Sequence, residues 1–462
     1  MRFLTIWDIV LLPVYLLIIY FISHRYQEKK KLTNPEYQYY VRGLFAKILG
    51  GIGVCLIYAF YYVGGDTIGY SEGSTYLSRV MTSDPGCWFQ IMFDNRSHET
   101  WMCFNSETGW PMYFDDGKSF SVIRFTNLLS FFGFRSFILT TVLVAWITFP
   151  EMWKLFRLFY EQFPHQKKVI ALSVLFVPSV CFWGSAILKD SYTISASAWL
   201  VYGFYRLFMS GSWKEKTGKQ IAWFILVITV SIYVLISLKP YIFLSVFVGI
   251  LLMLTHRGIK RMDSNFMKIL FVPIVLVTVW GGGYFMLNQI APALGNTYSS
   301  VDAMLEKAVV TQQDLKTSMR YGDNTFDIGN FDASLSGIFS KSPQAILAGL
   351  YRPFLWECNN PVMFISGTEN FLLIFVSFYV IVLSVVAFIK LGFKYMYRTA
   401  FDHSLIVFSI IFSFSFAFFI GLTTANFGAL VRYKIPLIPF LLTSAFVIID
   451  RFNRSKGETK LE

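Results

Sequence analysis

The chain has 462 residues, of which 55% are hydrophobic, 19% aromatic and only 15% charged, and its mean hydropathy is +0.53. A soluble chain carries roughly 25% charged residues, so a water-soluble enzyme and a disordered chain are excluded. The net charge of +12 would suggest nucleic acid in a soluble protein, but its distribution follows a membrane instead.

A bilayer core takes about 20 apolar residues per helix, and long apolar runs favour helices over a barrel of ten-residue alternating strands. Eleven runs qualify, at about 4–23, 48–63, 136–150, 169–186, 191–208, 220–237, 241–255, 269–289, 370–389, 404–423 and 435–449. The predicted fold is therefore an all-α, polytopic transmembrane bundle in one domain, 1–462. No small-residue cleavage site follows the first run; His24, Arg25 and Lys29 to Lys31 do, so it is expected to remain attached.

Charge predicts the orientation. The connections after runs one, three, five, seven and nine, with the C-terminal tail and counting Arg206 at the end of run five, hold 25 Lys/Arg against 10 Asp/Glu. The opposite side holds 15 against 17, and Asp8 lies inside the first run. By the positive-inside rule the basic side is cytoplasmic, which puts the N-terminus outside and the C-terminus inside. Two long segments, 64–135 and 290–369, then face outward. Both are rich in aromatics, so they read as structured working loops rather than disorder.

Within the first loop, Val122, Phe125, Leu129 and Phe132 fall at helical spacing, with Arg124 and Asn127 opposite. That pattern predicts a helix in the membrane interface over 119–133. In the second loop, Ser299 and Asp302 precede Met304, Leu305, Ala308 and Val309, the pattern of a capped amphipathic helix. Cys87, Cys103 and Cys358 lie outside, where a disulfide is chemically allowed, and a Cys87–Cys103 bridge is one way to staple the first loop. Trp88, Trp101 and Trp110 would either stack on sugar rings or fill the loop core.

Ionisable groups near hydrocarbon are costly and point to function by default. Here they gather at the outer ends of the runs: Asp66, Lys189, Asp190, Lys239, Arg352, Glu357, Arg432 and Lys434. Asp66 follows two glycines in GGDTIGY (64–70). A carboxylate there can take a proton from a hydroxyl or help hold a divalent cation, or it can simply cap a helix. Lys189 and Asp190 close PSVCFWGSAILKD (178–190), where a phosphate contact and a snorkelling cation beside a cap are both open readings. Lys239 sits at the equivalent next turn and reads as a membrane anchor. Arg352 and Glu357 flank an aromatic run in GLYRPFLWE, either as a phosphate fork or as a locking ion pair. Arg432 and Lys434, in RYKIPLIPFLL (432–442), place two cations against the usual side bias, so that a lipid phosphate or ordinary headgroups would attract them. No HExxH, CxxC pair, Walker loop or GxSxG motif occurs.

GGDTIGY, the PSVCFWGSAILKD segment and RYKIPLIPFLL together resemble motifs of the GT-C superfamily of polytopic membrane glycosyltransferases and related bacterial exopolysaccharide polymerases. One departure is that the first loop shows a single Asp66 rather than an obvious acidic pair. The resemblance implies transfer of a glycosyl unit from a polyprenyl-(di)phosphate donor to a glycan or lipid-linked acceptor, at the outer face of a bacterial inner membrane. It implies no obligatory cofactor, with a divalent cation left open. Asp66 would be the base, and Lys189, Arg352 and Arg432 would converge on the donor phosphate, supported by Asp190, Lys239, Glu357 and Lys434. Two alternatives remain: an O-antigen-type polymerase joining lipid-linked repeats, and a flippase or transporter, which would carry charge at mid-membrane.

Overall fold

The computed structural model describes residues 6–94, 96–211, 215–262, 324–332 and 334–458, with isolated residues between. The expected run at 269–289 and the helix beginning at Ser299 lie almost wholly outside the described residues. Among the described residues the chain is helical, and its one β-bridge joins Thr325 to Asn426. Two compact units form, Met1–Lys239 and Pro240–Glu462, where the sequence reads as one domain.

Among the described residues, seven helical stretches are long and apolar enough to cross a bilayer: Ile6–Lys31, Pro35–Tyr62, Phe137–Gln162, Gly218–Leu238, Pro240–Lys260, Pro361–Phe401 and Ser404–Thr423. An eighth arises if Phe427–Tyr433 and Ile438–Arg454, bent by 64°, form one span. These helices mark a membrane protein. The count falls below eleven partly because one expected run is broken and another is comparatively polar. Residues 169–186 form two short helices, Lys167–Leu175 and Pro178–Trp183. Pro178 holds Val177 in an extended conformation and breaks the run. The run at 191–208 is helical throughout, as Lys189–Phe204 continued by a wider turn over Tyr205–Met209, but its buried side includes Ser191, Thr193, Ser195 and Ser197, which makes it less apolar than the other spans.

Helix ends move as well, with consequences for charge. The second stretch begins at Pro35 rather than 48 and the third continues to Gln162 rather than 150. Lys47 and Glu151 therefore lie inside membrane-length stretches, whereas apolar runs alone place them in connections. Lys47 is buried, and its Nζ donates to the Gly184 carbonyl.

In the first unit, α1 (Ile6–Lys31) leaves Ile9, Val10, Leu17 and Phe21 exposed, as suits a lipid-facing helix. By contrast α7 (Phe137–Ile147) is buried from Phe137 to Ala145, against α2 (Tyr40–Ile57). The first loop folds as α3 (Asp66–Ser83), α4 (Pro85–Phe93), α5 (His98–Met102) and α6 (Gly117–Phe132). A Cys87–Cys103 disulfide staples α4 to the end of α5.

The α6 helix forms where expected, but its faces differ from the expectation. Asn127, assigned to an outward polar face, is fully buried. Its side-chain amide donates to Ser74 O (3.2 Å) and Ser78 Oγ (3.0 Å), and its carbonyl accepts from Trp88 Nε1 (2.7 Å). Small Gly73 and Ser74 on α3 let the two helices approach so closely that polar groups can satisfy one another in the contact. Phe132 is left 63% exposed. The buried face of α6 is thus half polar, a pattern that apolar spacing cannot reveal.

In the second unit, Pro240–Lys260 and Ser342–Tyr351 pack on Ser404–Thr423. Phe408, Phe412 and Phe416 stack along the last of these helices, with centroids 5.7–5.8 Å apart. The long Pro361–Phe401 stretch breaks at Gly392, where φ is +83°.

Candidate active site in the first loop

The α2 helix ends in a wide turn over Tyr58–Tyr62, followed by Gly64 and Gly65. Gly65 has φ +112°, a conformation that side chains resist, so this reversal requires glycine. Gly65 is also the cap residue of α3, and Asp66 is the first helical residue. The capping role considered for Asp66 therefore belongs to a residue with no side chain. At this position the carboxylate sits at the positive end of the helix dipole, and its Oδ1 accepts a hydrogen bond from Tyr113 Oη at 3.1 Å.

Tyr113 reaches Asp66 because α3 offers it a seat. A Cβ on Gly69 would come within 2.7 Å of its ring, so only glycine leaves room. The Tyr113 ring also packs on Tyr70, with centroids 4.9 Å apart. Tyr70 is buried, and its hydroxyl lies 3.2 Å from Ser119 Oγ. Ser119 in turn donates to Asp116 Oδ2. Asp116 caps α6, its Oδ1 accepting from Lys118 N at 3.0 Å, and its Oδ2 lies 3.6 Å from Lys189 Nζ.

One continuous assembly thus runs from Asp66 through Tyr113, Tyr70 and Ser119 to Asp116 and Lys189. Burial alone would raise the Asp116 carboxyl, but hydrogen bonds from Ser119 and Lys118 N and the Lys189 charge hold it below the usual range. Glu72, further along α3, is pushed the other way by burial. Lys189 opens the helix Lys189–Phe204, where a cation opposes the dipole. Asp116, 53% exposed, offsets that placement while leaving the Lys189 side chain 20% exposed.

The remaining sequence candidates have different surroundings. Asp190 and Lys239 form an ion pair at 2.6 Å with 1% and 6% side-chain exposure, so the anchor expected at Lys239 is an internal clamp. In the second unit, Arg352 lies 3.2 Å from Glu357, donates to Asp327 O, and stacks over Phe326 at 5.2 Å. Glu357 also accepts from Phe354 N at 2.9 Å. Lys434, expected at a headgroup boundary, is 1% exposed. Its ammonium donates to Arg352 O (3.1 Å), Leu350 O (3.5 Å) and Asn370 Oδ1. Arg432 is half-buried on Phe427–Tyr433. Lys189 belongs to the first unit, and Arg352 and Arg432 to the second.

Sequence reasoning missed Tyr70, Tyr113, Asp116 and Ser119. Asp116, three residues before Ser119 and just before the apolar run, carries a helix-start signal that was readable. Tyr113 carries none. Trp88 and Trp101 pack inside the loop, on Asn127 and Phe114, while Trp110 is half exposed. Among the described residues, no three His, Cys, Asp or Glu side chains gather as a metal site. Comparisons with protein-family models, with curated proteins and with solved structures found no match to this chain.

Proposed function

We propose that this protein is a membrane glycosyltransferase that moves a sugar from a polyprenyl-(di)phosphate donor to an acceptor hydroxyl at the outer face of a bacterial inner membrane. The observation that carries the reading is the first-loop assembly, which holds a partly exposed carboxylate, Asp66, and a partly exposed cation, Lys189. Asp66 takes the acceptor proton as the acceptor oxygen attacks the anomeric carbon. The bond from that carbon to the phosphate oxygen breaks, and Lys189 stabilises the departing phosphate charge. Tyr113 orients the carboxylate. Asp116 is the second acid that the sequence did not single out; it acts on Lys189.

The orientation rests on the excess of basic residues in alternate connections. A disulfide in the first loop fits an oxidising compartment on the same side. For a transporter, the charges at Lys47 and Glu151 are the features to weigh. The void beside Lys47 measures about 10 Å³, room for one water at most and none for a sugar. For a polymerase built on outer arginines, Arg352 is already committed to Glu357.

The direct test is transfer by the purified protein in proteoliposomes, offered candidate polyprenyl-linked sugars and acceptors. A glycosylated product that disappears in Asp66→Asn supports the reading. Donor translocation without a new glycosidic bond overturns it. Impermeant labelling of cysteines placed near Asp94 checks the orientation, and labelling from the cytoplasm would reverse it.

A further inference from the structure

Away from the first loop, α1, α2 and the turn between them shape an open cavity of about 300 Å³, whose polar lining is Tyr20, His24, Gln27, Lys31, Gln38 and Arg42. Three of these side chains are basic and none is acidic. Lys31 and Arg42 are exposed, so both can turn into the cavity at little cost. Lys31 also lies 3.6 Å from Glu28, a pair with both partners about half exposed and therefore weak and easily exchanged. Gln27 is buried and its side-chain Oε1 accepts from Val41 N at 3.1 Å, which ties the two helices together beside the cavity. The His24 ring stacks on Tyr20 at 5.3 Å and forms one wall.

The surface beside this cavity is apolar. On α1, Leu17, Ile18 and Phe21 are 51–59% exposed, and Leu49 on α2 is 62% exposed. A ligand that satisfies both features has an anionic head and hydrocarbon tails. Basic pockets between membrane helices suit such headgroups, because a phosphodiester exchanges water for several charge-assisted hydrogen bonds.

We infer that the cavity between α1 and α2 binds the phosphate headgroup of an anionic phospholipid, with Lys31 and Arg42 holding the phosphate and the acyl chains lying along the exposed face of α1. The site shares no residue with the first-loop assembly, so the two readings stand or fall separately.

The test uses the full-length protein in neutral detergent, with bound phosphatidylglycerol counted by native mass spectrometry during a titration. Wild-type protein should retain phosphatidylglycerol in preference to phosphatidylcholine. K31Q/R42Q should weaken that binding about 25-fold, roughly fivefold for each cation removed. K29Q/K30Q removes two neighbouring charges that do not line the cavity, and should leave binding unchanged. Equal loss in both double variants overturns the site, because general surface charge would then explain the attraction. Equal retention of phosphatidylcholine by the wild type overturns it without any variant. Inorganic phosphate that displaces the lipid at comparable concentration overturns the lipid assignment in favour of a free anion.

Discussion

The first-loop assembly and the Arg352–Lys434 region both begin as cations at the ends of apolar runs, yet their side chains are used differently. Lys434 is enclosed and donates to two carbonyls and an amide oxygen, which accounts for all three of its protons. Arg352 spends its fork on Glu357 and a backbone carbonyl, and its flat face on two aromatic rings. Lys189 instead has one carboxylate at 3.6 Å and remains partly exposed. A charge near hydrocarbon therefore identifies a place where something must be satisfied. Whether the partner is the protein's own backbone or a ligand depends on what the fold brings within reach.

The largest effect should come from a third region of purely internal charge. Asp190→Ala would leave Lys239 buried without its ion-pair partner, and should cost about 3–5 kcal/mol of stability in detergent unfolding. The double change Asp190→Leu with Lys239→Met should recover much of that loss. If the single variant is neutral, the pair is not a clamp and belongs with Lys189.

Lys434→Met should lower stability by about 2–3 kcal/mol, because buried acceptors lose their donor, while turnover per folded molecule stays near wild type. Asp66→Asn should do the reverse. Stability should hold, since the cap position belongs to Gly65, while transfer falls about 100-fold, equivalent to about 2.7 kcal/mol in the transition state. If Lys434→Met abolishes turnover in a folded protein, or Asp66→Asn leaves it intact, the division between the two regions is wrong.

Arg352→Lys sharpens the contrast. It keeps the charge but loses the fork and the stacking, so a structural role predicts a loss of about 1 kcal/mol in stability with donor use unchanged. A donor-phosphate role predicts the opposite pattern.

The smallest effect concerns pH. The Asp116 carboxyl is held below its ordinary range in the folded state. Its contribution is present above the unfolded value of about 3.9 and is lost as pH falls through the folded value. Thermal unfolding followed from neutral pH into acid should therefore show a shallower acid decline in Asp116→Asn. The difference should be modest, because this side chain is about half exposed.

The membrane class, seven of the expected helical spans and the bias of basic residues were legible in the sequence because each is a local or summed property. Twenty apolar residues cross a bilayer whatever they touch, and charge on a connection counts without regard to its neighbours. Asp66 stood out as a candidate on the same kind of signal, a lone acid after two glycines at the end of an apolar run. Boundaries were less so. A helix continues past its apolar stretch when polar residues find partners, as Lys47 does at the Gly184 carbonyl.

Tertiary structure alone decided which charges belong together. Tyr113 meets Asp66 across 47 positions, and Tyr70 meets Ser119 across 49. Lys239 meets Asp190 across another 49. Each meeting depends on how separate segments pack, and at Asp66 on the absence of a single Cβ at Gly69. No one-dimensional pattern encodes such a gap, because a helix reports its own period while its partner's approach is set by the shapes of both surfaces.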